Sequence, residues 1–369
     1  MREYILCLLF GFLSISVSAK SISQSNKHNA STVAEFVNKL EVLRLQNRIP
    51  GLSFAVIKDQ QIVVAGGLGM ADVEQQAPAT ADTLFNIASV TKPISAVVIM
   101  ALVEQGKLNL DEPLTNYSKW DEFCHAFQQQ PSIFAKNLKC EPANHTLRHL
   151  LTHTATGSPG SYFSYNPILY SWASRPVMAA MNTSFSTLVA KHVFQPANMS
   201  RSARIHRSLA LPETLRKLSA RPYMIDDNNL VVPSPPLSEQ GDGAAGGVIS
   251  SVLDLAKFDI ALEQNELISS SSKKQMMKAF TREDGASLEY GLGWFIQQHN
   301  GKKLVWHSGW WENAFSSLYL KIPDEKLTFI ILANSEGIWW HNPLDKAQVH
   351  NSAFAQAFLN SFALPTSAN

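Results

Sequence analysis

Ser89 and Lys92 stand three residues apart in FNIASVTKPISAVV, residues 85–98. On a helix beginning at Ser89, that spacing puts both side chains on one face. A serine hydroxyl is a weak nucleophile at its own pKa and needs a base beside it. A lysine held away from water is such a base, because desolvation lowers its pKa. The first turn of a helix adds free backbone N–H groups and the positive end of the dipole, which stabilise developing negative charge. The chemistry these groups suggest is acyl transfer through a serine ester. Ser-x-x-Lys also arises by chance, as a helix cap with a surface lysine. The flanks weigh against that alternative. Phe85 to Ala88 carries no charge, and the following ISAVVIMALVEQGKL is apolar nearly all round at its start, the pattern of a buried helix.

Such a helix needs a frame to hold it. Val33, Phe36, Val37, Leu40, Val42, Leu43 and Leu45 recur at helical spacing, which predicts an amphipathic helix over 32–49. LSFAVIK and QIVVAGG flank Asp59-Gln60 as a β-hairpin. GWFIQQ and KKLVWH flank Asn300-Gly301, a strong turn dipeptide, and FSSLYLKI and KLTFIILAN flank Pro323-Asp324. A helix from about Asp345 to Phe362 closes the pattern. The expectation is one antiparallel sheet of five strands, two early and three late, flanked by the terminal helices. The intervening residues form a mainly helical lobe, and the boundary between lobes is a natural place for a cleft. The fold class is thus α/β (α+β), with a sheet lobe over about 32–80 and 288–363 and a helical lobe over about 81–287.

FNIASVTK resembles the active-site segment of the class C β-lactamase and penicillin-binding family of serine hydrolases. IPGLSFAVIKDQQIV and LVEQGKLNLDEPLTNY look like its flanks, and LRHLLTHTATG like its LLTHTSG signature. GAAGGVISSVLDLAKF, YGLGWF and WHSGWWENAFSSLYLKIPDEKLTFIILAN follow in family order, so the resemblance runs from about residue 33 to 363. It implies a β-lactamase/transpeptidase-like catalytic domain over 32–363.

The resemblance implies further site residues. In PGSYFSYNPILY, Tyr165 falls at the tyrosine of a Tyr-x-Asn element, five residues before Tyr170; Tyr162 is a lower-ranked rival. A phenol there relays the serine proton to the leaving group, provided Lys92 lowers its pKa. Pro167 replaces the element's asparagine, and Asn166 next door is the candidate substitute for its contact with substrate. The connection from His153 to Tyr165 is short for the family, which should open one wall of the cleft. His307-Ser308-Gly309 stands where the family has Lys-Thr-Gly. Histidine at that position resembles esterases and D,D-peptidases of the family, and is expected to partner the Tyr165 hydroxyl. Ser308 offers substrate a hydroxyl, and Gly309 admits a substrate backbone to the strand. The backbone N–H groups of Ser89 and Trp310 would form the oxyanion hole.

The remaining features bound the answer. The 369 residues include 31 Lys+Arg and 30 Asp+Glu, and 45% are hydrophobic. That composition is globular, and a net charge of +1 gives no electrostatic case for nucleic acid. Residues 1–19, MREYILCLLFGFLSISVSA, have the layout of a secretory signal peptide, an uncleaved anchor being the alternative. Residues 20–31 read as a flexible leader. The mature chain would be periplasmic or secreted, with no stable membrane insertion after cleavage. In that compartment Cys124 and Cys140 are expected to pair and staple the loop HAFQQQPSIFAKNLK; two free thiols are the alternative. His145, His149 and His153 recur every four residues, but without the glutamate of a zinc-protease motif, so no metal is expected. Trp310-Trp311 and Trp339-Trp340 line an acyl pocket or belong to the core. Asp254 reads as an acid in a helix's first turn.

These readings converge on a serine hydrolase without metal or organic cofactor, acting on a small-molecule or peptide-like acyl substrate. An esterase-like activity is favoured by Pro167, His307 and the short loop. A D,D-carboxypeptidase or β-lactamase is the alternative, and a catalytically dead binding protein is a third reading.

Overall fold

The fold is taken from a computed structural model, which describes residues 24–117, 119–141 and 144–363. Helix α1 spans Gln24–Gln46. Strands β1 (Gly51–Lys58), β2 (Gln61–Asp72) and the two-residue β3 (Ala77–Pro78) follow it. Short strands β4 (Phe85–Asn86), β5 (Ala203–Arg204) and β8 (Val248–Ser250) make a small three-stranded sheet. Strands β6 (Tyr223–Ile225) and β7 (Val231–Pro233) make a two-stranded ribbon. Strands β9 (Phe295–His299), β10 (Lys302–Trp311), β11 (Phe315–Ile322) and β12 (Leu327–Ala333) come late. The main sheet is antiparallel with order β3-β2-β1-β12-β11-β10-β9, so the early and late strands meet where β1 pairs with β12.

The hairpin geometry follows from the turn residues. Asp59 and Gln60 both take positive φ (49° and 64°), as do Asn300 and Gly301 (48° and 72°). Two-residue turns of that kind match the right-handed twist of the strands they join. Strands β11 and β12 are buried along their whole lengths and β1 along all but its last residue, hence their unbroken apolar runs. Phe36 and Leu40 of α1 cover one face together with Phe354 and Phe358 of the C-terminal helix Ala353–Phe358. Helix α2 (Thr91–Glu104) and the helix Val252–Glu263 cover the other. The second helix is tied down by Asp259, which accepts from the Tyr319 hydroxyl at 2.6 Å and pairs with the buried Lys321 ammonium.

Three expectations need correction. The sheet has seven strands rather than five, because both late hairpins contribute two strands each and β3 adds an edge. The leader over 20–31 is helical from Gln24, continuous with α1. The closing helix does not begin at Asp345; residues 349–351 form one 3-10 turn, and the α-helix starts at Ala353, capped by Ser352. The signal peptide over 1–19 lies outside the described residues. No helix among the described residues is long and apolar enough to cross a membrane.

Candidate active site

The segment carrying Ser89 makes a sharp bend before α2. Ala88 sits at φ 45°, an uncommon conformation for a residue with a Cβ. Asn86 Oδ1 accepts the Ala88 N–H at 2.9 Å and braces that bend. Ala88–Val90 then form one 3-10 turn, and α2 follows from Thr91. The turn projects Ser89 to the surface of a cleft, while Lys92 on the next turn is fully buried.

Lys92 Nζ donates to Ser89 Oγ at 2.7 Å and lies 3.4 Å from the Ala245 carbonyl. No carboxylate pairs with it among the described residues, and burial pulls its pKa well below the ordinary 10.5. Burial thus favours the neutral, basic form of the amine. The Tyr165 hydroxyl comes near the Ser89 side chain from the facing lobe, and both line the cleft. Its ring lies 4.9 Å from Lys92 Nζ, and the Tyr170 ring 5.5 Å, a favourable cradle for the ammonium that forms when Lys92 takes a proton. The Tyr170 hydroxyl donates to the Lys92 carbonyl at 2.9 Å and fixes the start of α2. Burial raises the Tyr165 pKa well above 10, and the nearby Ser89 side chain offsets only part of that rise. The condition that Lys92 lowers it is not met, so Tyr165 rests as a neutral phenol.

Beyond Trp306, β9 no longer pairs with β10, so the strand's edge from His307 onward faces the Ala88–Val90 turn. Ser308 and Trp310 line the cleft there. Gly309 packs against the turn's backbone so closely that a Cβ would overlap the Ile87 carbonyl. His307 is turned away. Its Nδ1 donates to the Ser308 carbonyl at 2.6 Å, so in the neutral ring Nε2 is the acceptor, and it receives the Tyr290 hydroxyl at 2.9 Å. The expected partnership with Tyr165 is replaced by one with Tyr290. Burial, and then the nearby Lys92, hold the His307 pKa well below 6.5.

Asn166 is likewise not a substrate contact. It caps the helix Pro167–Trp172, its Oδ1 accepting the Leu169 N–H at 3.0 Å. Its Nδ2 donates to the Phe134 carbonyl at 2.6 Å, which leaves its amide engaged on both sides. A proline at the first helical position explains the arrangement, since that position favours a capping asparagine before it. Tyr162 lies beside Gly157 and away from the cleft. Cys124 and Cys140 form a disulfide with Cα atoms 5.8 Å apart, and the loop they close carries Phe134 onto the cleft wall.

The three histidines do not converge on a metal. His149 completes a capping box with Thr146, and burial pushes its pKa down to about 4. His145 Nε2 meets the Ala155 carbonyl at 2.9 Å. His153 accepts the Asn166 N–H, and its ring lies tilted against that of Tyr165 with centroids 4.3 Å apart. No cluster able to hold a metal occurs among the described residues. Asp254 accepts the Arg201 N–H and the Ser202 hydroxyl, which is structural work.

The cleft encloses about 530 Å³. Phe134, Pro167, Ile168, Trp311, Trp339 and Leu344 give it an apolar lining, and the backbone of Gly241–Gly246 forms one side. Trp340 stays out of it and packs against Trp306. Among the described residues no lysine, arginine or histidine side chain lines the wall, and Glu312 is the only carboxylate on it. Sequence reasoning missed Phe134, Glu312 and Tyr290. Phe134 sat inside the stapled loop, and its distance from Ser89 along the chain hid it.

A family described as Beta-lactamase matches residues 29–351. The chain belongs to the beta-lactamase family. Members are serine hydrolases of the β-lactamase and penicillin-binding type, and the fold is that of the family. Penicillin-binding protein 4* of Bacillus subtilis (strain 168) is 26% identical over 317 residues, covering 73% of this chain and 64% of that protein. The chain thus spans less than two thirds of the length of the curated relatives it matches. An octameric penicillin-binding protein homologue from Pyrococcus abyssi superposes with TM-score 0.70 at 25% identity, over 89% of this chain and 77% of that one. A D-amino acid amidase from Ochrobactrum anthropi SV3, complexed with L-phenylalanine amide, gives TM-score 0.69 over 90% and 99% of the two chains. At 19% identity that likeness concerns the fold.

Proposed function

We propose that this family member hydrolyses an uncharged or cationic ester or amide through a Ser89 acyl-enzyme. The observation that carries the reading is the 2.7 Å contact of Lys92 Nζ with Ser89 Oγ, beside Tyr165, in a cleft whose wall holds no cationic side chain among the described residues. Ser89 Oγ bonds to the substrate carbonyl carbon and its proton passes to the neutral Lys92 amine. The N–H groups of Ser89 and Trp310 hold the oxyanion. Tyr165 gives its phenolic proton to the leaving oxygen or nitrogen as that bond breaks, and regains one from Lys92. Water then enters by the same route in reverse and frees Ser89. His307 orders Tyr290 and Ser308 rather than exchanging a proton with substrate.

A penicillin-interacting activity is the second reading, favoured by the likeness to penicillin-binding protein 4*. Its substrates carry a carboxylate, for which the wall supplies Glu312 and no positive partner. Labelling with a fluorophosphonate and with a fluorescent penicillin, beside Ser89→Ala, decides between them. Ser89-dependent fluorophosphonate labelling without penicillin labelling is expected. Labelling by penicillin overturns the ester reading, and no Ser89-dependent label overturns both. We place the mature protein outside the cytoplasm, a reading supported by the order of charged, apolar and small residues over 1–19 and by the Cys124–Cys140 pair.

A further inference from the structure

The mouth of the cleft has a charge and aromatic character that the acyl-transfer chemistry does not use. Trp310 and Trp339 stack with ring centroids 4.4 Å apart and planes 19° from parallel, and both line the cleft. Trp310 remains 37% exposed, an unusual state for so large an apolar surface. Its indole Nε1 donates to the Glu336 carboxylate. An indole that shares its N–H with an anion has a more electron-rich face, which attracts cations more strongly. Two residues after Trp310, on the turn joining β10 to β11, Glu312 is exposed on the cleft wall. It has no ion-pair or hydrogen-bond partner among the described residues. On the opposite wall the Arg204 guanidinium donates to the Gly243 carbonyl from a buried position and Arg175 approaches Gly241, but neither side chain lines the cleft.

Resting on the acyl-enzyme reading above, we infer that the Trp310–Trp339 pair and Glu312 form a subsite for a positively charged group on the substrate, an alkylammonium a few bonds from the scissile carbonyl. The aromatic face takes the cation's apolar periphery and the carboxylate its charge. Neutral substrates enter the same cleft without this contact, and carboxylate-bearing ones meet Glu312.

Two p-nitrophenyl esters that differ only in N⁺ for C test this, the 4-(trimethylammonio)butanoate and the 5,5-dimethylhexanoate, with the monoester of glutarate as the anionic arm. The expected kcat/KM order is cationic, neutral, anionic. Glu312→Gln and Trp339→Leu should each reduce the cationic-to-neutral ratio by about tenfold, the ratio cancelling any change common to both esters. A wild-type ratio at or below one, or a ratio untouched by both substitutions, overturns the subsite while leaving Ser89-dependent hydrolysis of the neutral ester standing. Calorimetric titration of the Ser89→Ala protein with the corresponding cationic and neutral amides reads the same preference without turnover. Equal affinities there refute the subsite even if the hydrolase reading fails. Loss of all Ser89-dependent hydrolysis, with the binding preference intact, removes the reaction and keeps the subsite.

Discussion

The Nε2 of His307 lies 2.9 Å from the Tyr290 hydroxyl, and the bond engages a buried imidazole that does not line the cleft. Tyr290→Phe strands a buried acceptor and should cost about 1–3 kcal/mol of stability by urea denaturation. On the proposed mechanism His307 exchanges no proton with substrate, so kcat should stay within about tenfold of wild type. A collapse of kcat accompanied by a displaced limb of the pH–rate profile would assign His307 a proton-transfer role instead.

The same burial makes a pH prediction. His307 and His153 are both held well below 6.5, burial being the larger cause for each. As pH falls below about 6.5, the unfolded chain takes up protons that the folded chain refuses, so stability drops. Each ring adds a slope approaching about 1.4 kcal/mol per pH unit. Denaturant midpoints at pH 7 and pH 5 should differ accordingly, well before carboxylates titrate. A flat stability between those pH values contradicts the buried neutral rings.

Lys92 is the base in the scheme, and its chemistry demands a group that can lose its proton. Lys92→Arg keeps a long nitrogen-bearing side chain but remains protonated in a protein. It should therefore be as inactive as Lys92→Met, both losing roughly 10³-fold or more in fluorophosphonate acylation. In the wild type, the acylation rate should rise with pH through a midpoint well below 10.5, following the depressed amine. Near-normal acylation by the arginine variant would remove Lys92 from the base's role.

What was legible in the sequence divides along physical lines. The hairpins were, because Asn300-Gly301 and the Asp59-Gln60 turn announce themselves locally and the apolar runs on either side need no tertiary information. The Ser89–Lys92 spacing was, because one helical turn is a property of the chain itself. Asn166 and His307 were misassigned because their side chains answer to distant groups. Asn166 serves Phe134, thirty-two residues away, and His307 serves Tyr290, neither of which any local pattern marks. The charge of the cleft lining is a sum over six separate segments and has no signature in one of them.

The disulfide should act on substrate binding more than on chemistry. It closes the loop that carries Phe134, and Phe134 both lines the cleft and accepts from Asn166, next to Tyr165. A loop of this size constrains the unfolded chain by about 3 kcal/mol. Cys124→Ser/Cys140→Ser should lower stability by that order and raise KM for bulky acyl esters severalfold, while fluorophosphonate labelling of Ser89 persists. Phe134→Ala should reproduce the KM effect alone. Loss of labelling in the folded double variant would mean that the staple shapes the nucleophile as well.

Gly309 is the strand residue on which the nucleophile's bend leans. A Cβ there would overlap the Ile87 carbonyl and the Ser317 hydroxyl, and approach the Ala88 Cβ to 3.2 Å. Ser317 Oγ already donates to that same carbonyl at 2.9 Å, so the peptide before Ala88 is held from one side and packed from the other. Ala88, at φ 45°, has little freedom to yield, and any shift moves Ser89 off Lys92. An ångström of displacement at a reacting atom costs about 10²-fold. Gly309→Ala should therefore lower kcat by about that factor with a smaller change in KM. Ser317→Ala, which removes the clasp without adding bulk, should lower kcat by less and partly rescue Gly309→Ala by making room. Steady-state kinetics on one activated ester, with circular dichroism to confirm folding, measures both. An unchanged kcat in folded Gly309→Ala would show that the bend at Ala88 is held without the strand, and that Ser89 is positioned by Asn86 alone.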